Sequence, residues 1–188
     1  MIEYWWPTEI GYYDNPNHNK LNLNDYCYKI QSKTESGGQD WISKETYNTS
    51  DGKFVPHKDK KFKKLNDWIM KQIDTYIEET KIVFKPRRIE SWFNIYKKGD
   101  FQEIHLHHNS ILSAVYFLKA NDKSSPLIFR PPLEDQRNVQ KTEGICANTT
   151  VEYPARPGRL VVFRSYVPHG VGKLEDDEDR ITLAYNYE

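Results

Sequence analysis

The clearest pattern along the chain is a helical repeat in residues 58–80. Apolar side chains recur there at steps of three and four, with lysines and acidic residues between them. This spacing is typical of an amphipathic helix that packs one face against a sheet. The apolar positions are Phe62, Leu65, Ile69, Ile73, Tyr76 and Ile77. The lysines of the same stretch fit the solvent-facing side of such a helix better than a nucleic-acid patch.

Downstream of this helix, the pattern changes to short β-prone runs separated by Gly, Pro, Asn and Asp. A series of short strands after one long helix predicts a mainly β fold with a supporting helix. The expected architecture is a double-stranded β-helix, or jelly roll. The predicted strands are 82–84, 88–96, 101–107, 112–118, 127–129, 149–153, 160–164 and 180–187.

The rest of the chain is polar and rich in turn signals. Before residue 57 we predict an N-terminal strand, a short helix near residues 23–32, and loops. The stretch 131–148 is long and irregular, as loops that cover binding sites often are. No repeat or linker divides the sequence. We therefore predict one domain, 1–188, built from an N-terminal packing segment (1–56), the supporting helix (58–80) and a jelly-roll core (82–188).

Composition narrows the choice of partners. The 27 basic residues balance the 27 acidic ones, so no net field recruits nucleic acid or an anionic membrane. No stretch approaches the length of an apolar membrane span, and the first residues lack the layout of a signal peptide. We therefore expect a cytoplasmic protein that does not bind membranes and is not favoured to bind nucleic acid. The oligomeric state cannot be predicted from these features.

The candidate chemistry centres on histidine. His105 and His107 lie two residues apart in a predicted strand, where side chains of alternate residues share a face. A third histidine, His169, follows the apolar strand 160–164, and Arg180 begins the last strand. Imidazole nitrogens bind Fe, Zn, Cu and Ni. The three histidines therefore predict a metal site, whereas alternation turns His108 away from it.

These stretches resemble the core of the 2-oxoglutarate and Fe(II)-dependent oxygenases, particularly the prolyl-hydroxylase-like branch. That branch carries Tyr-x-x-Gly, then His-x-Asp, then a distal His and a basic residue. Here Tyr96 and Gly99 precede His105, and Arg180 follows His169 by eleven residues. The match is closer to a set of oxygenases common in marine bacteria and their phages, which carry Tyr-x-x-Gly-Asp-Phe-Gln-x-x-His-x-His-x-x-Ser. The resemblance covers residues 92–186.

The resemblance implies a dioxygenase that uses Fe(II), 2-oxoglutarate and O2. Such an enzyme hydroxylates its substrate, here an unidentified small molecule or protein side chain, while it decarboxylates 2-oxoglutarate to succinate. The resemblance assigns the metal and the catalytic centre to His105, His107 and His169. It assigns the distal carboxylate of 2-oxoglutarate to Arg180, whose other possible role is an ion pair with the acidic run 175–179. Smaller contributions to cosubstrate binding are expected from Asn94, Tyr96 and Ser113.

One position departs from the better-known pattern. His107 stands where the prolyl-hydroxylase-like enzymes carry Asp, and a neutral imidazole leaves the metal one unit more positive. Glu103, on the same predicted strand face as His105, is an alternative carboxylate ligand. Two other functions also remain open. One is a three-His oxygenase of cupin type that does not use 2-oxoglutarate, and the other is a non-enzymatic jelly-roll binding module with a structural zinc ion.

Overall fold

A computed structural model of the protein describes residues 8–132 and 150–188. In chain order its elements are β1 (Ile10–Asp14), α1 (Asn24–Gln31), β2 (Tyr47–Asn48), α2 (Lys63–Thr80), β3 (Ile89–Tyr96), β4 (Gln102–His105), β5 (Leu112–Lys119), β6 (Leu127–Phe129), β7 (Val151–Tyr153), β8 (Arg159–Arg164), β9 (His169–Val171) and β10 (Arg180–Tyr187). Short 3-10 helices lie at His18–Lys20, Pro56–Lys58 and Lys60–Phe62. The predicted loop 131–148 lies outside the described residues, except for its first two positions.

The described strands form two antiparallel sheets. The larger sheet has the order β1-β8-β5-β10-β3-β2, and the smaller sheet has the order β4-β9-β6-β7. Every pairing between neighbouring strands is antiparallel. This architecture confirms the predicted fold class, a mainly β double-stranded β-helix with a supporting helix.

The larger sheet separates a helix-covered core from a cavity, because alternate residues of a strand face opposite sides. On β10, Ile181, Leu183 and Tyr185 belong to the core that also contains buried residues of α1 and α2. Arg180 and Thr182, which alternate with these core residues, line a cavity between the two sheets. The strand that ends the chain therefore contributes apolar residues to one side and polar residues to the other.

The helix α2 packs an apolar stripe onto the larger sheet. Leu65, Ile69 and Ile73 are buried, and burying each such side chain contributes about 1.5–3 kcal/mol. The helix begins at Lys63, later than the sequence suggests, because residues 56–62 form two 3-10 turns. The Asp59 side chain accepts a hydrogen bond from a main-chain N–H of the second turn. No helix within the described residues is long and apolar enough to cross a membrane.

Two of the predicted strands need correction, and the strand β9 was not predicted. Residues 82–84 form no strand, because Phe84 N–H donates to the Ile82 carbonyl at 3.0 Å and closes a local turn instead of a ladder. The strand predicted at 101–107 ends at His105. A strand that the sequence pattern did not indicate, β9, begins at His169 and pairs with both β4 and β6.

Candidate metal centre and cosubstrate pocket

Three histidines meet at the edge of the smaller sheet. His105, the last residue of β4, pairs with His169, the first residue of β9, and their ring centroids lie 4.4 Å apart. The ring of His107 lies 4.9 Å from that of His105 and 5.2 Å from that of His169. One ring nitrogen from each residue lies within 4.8 Å of the others. No other group of His, Cys, Asp or Glu in the described ranges is arranged in this way.

Main-chain carbonyls hold two of these rings in a defined tautomer. His105 Nδ1 lies 2.8 Å from the Glu103 carbonyl oxygen, and His169 Nδ1 lies 2.9 Å from the Val167 carbonyl oxygen. A carbonyl oxygen only accepts, so Nδ1 carries the proton in both rings. The Nε2 lone pairs are therefore available to a metal ion, in the arrangement that metal-binding histidines commonly use.

The third histidine is positioned by a different part of the chain. His107 lies beyond the end of β4, so strand alternation does not decide where its ring points. Its main-chain N–H donates to the Ser165 carbonyl at 3.0 Å. Its ring meets the indole of Trp92 edge-on, with 6.1 Å between the ring centroids. The connection to Ser165 places the ring beside the other two histidines.

The surroundings keep the imidazoles of His107 and His169 neutral. Burial lowers the pKa of His107 to about 4, and the nearby His105 adds to the effect. Burial also lowers the pKa of His169 well below the ordinary value. A neutral imidazole is the form that binds a metal ion, so protons do not compete at these two positions near pH 7. Within the described residues the group contains no carboxylate, so the three histidines themselves add no negative charge to a bound ion.

Glu103 is not part of the histidine group, which overturns the alternative in which Glu103 is a metal ligand. Its Oε1 accepts a hydrogen bond from Ile42 N–H at 3.0 Å, and its Oε2 accepts one from Ser43 N–H at 3.2 Å. The Gln102 amide also donates to Oε2, at 2.9 Å. The carboxylate therefore binds the main chain of the N-terminal segment.

We expect Glu103→Ala to lower the free energy of unfolding by about 1–3 kcal/mol while divalent metal affinity changes less than about twofold. The variant leaves the N–H groups of Ile42 and Ser43 without their acceptor but does not touch the three rings. Urea unfolding and Co(II) titration measure the two quantities. Glu103→Gln, which keeps one carbonyl acceptor, is expected to unfold at an intermediate denaturant concentration. A large loss of metal affinity in both variants would restore Glu103 as a ligand.

Close contact between β4 and β9 brings His105 and His169 together. Gly170 lies where the two strands pass, and a Cβ at this position would lie 2.8 Å from the Gln102 carbonyl oxygen and 2.9 Å from that of Glu103. These are main-chain atoms that cannot rotate away. A side chain at Gly170 would therefore force the two strands apart.

Gly170→Ala is predicted to lower stability by about 1–3 kcal/mol and to weaken divalent metal binding by about tenfold or more. The physical reason is that separating β4 from β9 moves His105 away from His169. Thermal unfolding and Co(II) titration provide the readouts. Gly172→Ala is the matched control, because its Cβ would meet only the Ile128 Cδ1 atom, at an ordinary 3.6 Å. Equal behaviour of the two variants would contradict the prediction.

Arg180 is fully buried without a partner for its charge. Its guanidinium carbon lies 4.7 Å from the ring centroid of Tyr96 and 5.1 Å from that of Phe117. None of its Nε, Nη1 and Nη2 atoms makes a hydrogen bond within the described part of the chain. Burial lowers the pKa of Arg180 and the neighbouring Tyr96 hydroxyl opposes this shift, but a phenol that stays neutral supplies no counter-charge. The guanidinium stays protonated, as it does in proteins generally. A buried, unpaired cation costs several kcal/mol, so a bound anion would stabilise this site.

The alternative role of Arg180, an ion pair with the acidic run 175–179, is wrong. Two members of that run have other partners. Asp177 pairs with Lys98 at 2.9 Å, and Asp179 accepts a hydrogen bond from the Tyr28 hydroxyl at 3.0 Å. The run thus lies on the outer surface, away from the guanidinium.

The remaining predicted cosubstrate residues share one cavity with Arg180 and the histidines. The cavity has a volume of about 720 Å³ and is lined by all seven predicted site residues. Asn94 donates to Thr182 Oγ1 at 3.4 Å, and its buried Oδ1 has no partner among the described residues. Burial raises the pKa of Tyr96, which keeps the phenol neutral beside Arg180. Ser113 lies nearer the histidine end and bonds to other side chains there.

Thr182 and Trp92 line the cavity but were not identified as site residues from the sequence. Thr182 follows Arg180 by two positions on β10, so strand alternation could have indicated that it shares the same face. Trp92 lies on β3 two residues before Asn94, and the same argument applies to it. Its contact with His107 has no sequence signal, because residues far apart in the chain make it.

A jelly roll that gathers three histidines and an unpaired arginine in one cavity is the arrangement expected of a metal-dependent oxygenase with a carboxylate cosubstrate. The chain belongs to a family of that class: the model described as "Putative 2OG-Fe(II) oxygenase" matches residues 90–186. The protein is therefore an oxidoreductase whose cofactor is Fe(II) and whose cosubstrates are 2-oxoglutarate and O2. This membership excludes both a cupin-type oxygenase without 2-oxoglutarate and a non-enzymatic binding module. No curated protein matches the chain.

Solved structures share the fold at low sequence identity. A prolyl-4-hydroxylase from Pseudomonas putida is 17% identical with a TM-score of 0.64, over 96% of this chain and 92% of that one. The non-haem α-ketoglutarate-dependent carbocyclase SnoK from nogalamycin biosynthesis is 13% identical with a TM-score of 0.65, over 96% and 79%. HygX from Streptomyces hygroscopicus, solved with nickel and 2-oxoglutarate bound, is 12% identical with a TM-score of 0.62, over 96% and 82%.

Proposed function

We propose that the protein is a dioxygenase that hydroxylates its substrate while 2-oxoglutarate is decarboxylated to succinate. In this proposal His105, His107 and His169 bind Fe(II), and Arg180 binds the distal carboxylate of 2-oxoglutarate. One observation carries the proposal: a fully buried guanidinium without a partner lies in the same cavity as the only three-His group of the described residues. A metal ion and a dicarboxylate together satisfy both features.

The donor set fits the proposed ligands. Three neutral imidazoles suit Fe(II) and leave coordination positions open for other ligands. Arg180 presents a planar fork that pairs bidentately with a carboxylate. Because no carboxylate of the described residues joins the histidine group, the charge of the metal and that of Arg180 are both available to a dianion. The site therefore favours an anionic cosubstrate electrostatically.

When bound, Fe(II) together with 2-oxoglutarate and O2 supplies the oxidising chemistry, so that one oxygen atom enters a C–H bond of the substrate and the other enters succinate as CO2 is released. The chain orients and shields the reactants. Arg180 aligns the cosubstrate along β10, while the rings of Tyr96 and Phe117 exclude water around the ion pair. Main-chain carbonyls keep His105 and His169 in the tautomer that binds metal.

The substrate enters a roomy and chemically mixed outer cavity. A volume of about 720 Å³ exceeds what 2-oxoglutarate alone fills and lies within the range of small-molecule pockets. Besides the proposed ligands, the cavity lining includes Trp41, Asp51, Lys58, Arg88 and Trp92. These groups suit a small molecule or a protein side chain with both polar and apolar parts. The fold does not choose among such substrates, since one structural neighbour is a prolyl-4-hydroxylase and another a carbocyclase.

We also propose that the packing segment 1–56, the helix 58–80 and the core 82–188 act as one jelly-roll oxygenase domain. Two observations support a single domain. The strand β1 of the first segment extends the larger sheet beside β8. Main-chain N–H groups of Ile42 and Ser43 bind the carboxylate of Glu103 in the core.

An anaerobic titration of the Fe(II)-loaded protein with 2-oxoglutarate tests the proposed function. We expect a weak visible charge-transfer band as the 2-oxo acid binds, followed by O2 consumption that depends on 2-oxoglutarate. Succinate release, measured by chromatography, should match the 2-oxoglutarate consumed. Wild-type protein that demonstrably holds iron but shows neither the band nor succinate would contradict the proposal.

A further inference from the structure

A chain of three buried polar side chains crosses the larger sheet next to the histidine group. Ser165 Oγ lies 2.8 Å from Ser113 Oγ, and Ser113 Oγ lies 2.9 Å from Asn186 Oδ1. The three residues are at most 5% exposed. Ser165 is also the residue whose carbonyl accepts the N–H of His107. This chain therefore connects the end of β10 to the metal centre.

The number of hydroxyl protons fixes the direction of these hydrogen bonds. The single Ser113 proton is donated to Asn186 Oδ1, so the Ser165 hydroxyl must donate to Ser113. With its carbonyl oxygen turned to Ser113, Asn186 directs its amide NH2 away from that hydroxyl. Asn186 lines the cavity, and no described residue accepts a hydrogen bond from its NH2 group. The two N–H groups of the Asn186 amide therefore face the cavity, and the hydrogen bond from Ser113 holds the amide in place.

The strand register places these donors at the opposite end of the site from Arg180. Arg180 and Asn186 share the cavity face of β10, and six residues of strand separate their Cα atoms by about 20 Å. The Arg180 guanidinium lies near the rings of Tyr96, which pairs with Arg180, and Phe117, which pairs with Thr182, so it extends along the strand toward Asn186. Ala184 pairs with Trp92, whose ring contacts His107. The histidine group therefore lies level with the Asn186 end of the strand.

A second contact supports the same placement. Phe163 pairs with Ser113 across β5 and β8, and its ring centroid lies 4.5 Å from that of His169. Ser113 in turn pairs with Asn186. If the distal carboxylate of 2-oxoglutarate lies at Arg180, its 2-oxo acid end extends toward the histidines and therefore toward Asn186.

We propose that Asn186, held by Ser113 and Ser165, is a cosubstrate-positioning residue that donates its amide NH2 to a carboxylate oxygen at the 2-oxo acid end of 2-oxoglutarate. This inference rests on the proposed function. Arg180 recognises one end of the cosubstrate and Asn186 the other. The two donors together set the position of 2-oxoglutarate along the strand.

Pyruvate separates the two ends, because it carries the 2-oxo acid group but lacks the distal carboxylate. Anaerobic Fe(II)-loaded protein is titrated with 2-oxoglutarate and with pyruvate, and the visible band gives each dissociation constant per bound iron. Asn186→Ala is expected to weaken both ligands by a similar factor of about ten. Arg180→Met is expected to weaken the binding of 2-oxoglutarate alone and to leave the dissociation constant of pyruvate within about twofold of wild type.

Two further variants keep the test decisive. Asn186→Asp retains an acceptor for Ser113 but removes the NH2 donors, so it tests the same donors if the Ala variant unfolds. It should also lower the affinity for both 2-oxoglutarate and pyruvate. Asn19→Asp makes the same charge change at an exposed residue and should alter neither. The inference is overturned if the folded Asn186 variants bind both ligands like wild type, or lose affinity only for 2-oxoglutarate. Failure of wild-type protein to bind either ligand would instead refute the proposed function.

Discussion

Replacing Arg180 by Met should abolish tight 2-oxoglutarate binding and, at the same time, raise the melting temperature of the ligand-free protein. Loss of two charge-assisted hydrogen bonds is expected to weaken the cosubstrate by about 100-fold or more. The gain in stability follows from removing a fully buried cation whose nitrogen atoms have no partner in the described residues. An apolar side chain of similar length fits between the rings of Tyr96 and Phe117.

The size of the stability gain can be estimated. Replacing buried charges by packed apolar groups is neutral or stabilising by about 1–4 kcal/mol. The lost contact of the guanidinium with two aromatic rings offsets part of this gain. We therefore expect an increase of about 1–3 kcal/mol, or about 2–12 °C in melting temperature. Differential scanning calorimetry of metal-free protein measures the increase.

Arg159 offers a matched control for this prediction. It is also buried, but its Nε and Nη2 atoms each bind the Asp14 carboxylate at 2.8 Å. Arg159→Met should therefore lower the melting temperature and leave 2-oxoglutarate affinity unchanged. A lower melting temperature for Arg180→Met as well would show that Arg180 serves the fold rather than a ligand.

His107→Ala is the second change with a large expected effect. Removing one of three ligands should weaken Fe(II) or Co(II) binding by more than about 100-fold, since even the loss of groups that only orient ligands costs about 10–100-fold. The charge-transfer band with 2-oxoglutarate should disappear at protein concentrations that suffice for wild type. Metal competition against a chromophoric chelator, together with Co(II) absorption spectra, measures the change.

The neighbouring histidine provides the control. His108 is exposed and lies outside the three-His group, so His108→Ala should keep metal affinity within about twofold. Wild-type metal affinity in His107→Ala would contradict the assignment. His107→Asp is informative as well, because its carboxylate removes one unit of positive charge from the centre. It should retain metal binding while the affinity for the anionic 2-oxoglutarate falls.

Much of the fold was predictable because local periodicity reflects burial. The repeat in Leu65, Ile69 and Ile73 has the spacing of one helix face, and the structure buries these residues. Alternation failed at Ile82 and Phe84, which also pack against the core but without strand pairing. A strand needs a hydrogen-bonding neighbour, and the identity of that neighbour is not written in the strand itself.

The site was predictable to the extent that its residues stand close together or at characteristic spacings. The sequence by itself identified the three histidines as candidate metal ligands, because His-x-His and a distal His before Arg180 can be recognised without coordinates. The tertiary structure decided three further points: Glu103 binds the N-terminal segment, Ser165 positions His107, and Arg180 has no partner for its charge. The reason is physical, since a motif specifies which groups are present, whereas the pairing of a buried polar group depends on every segment that folds around it.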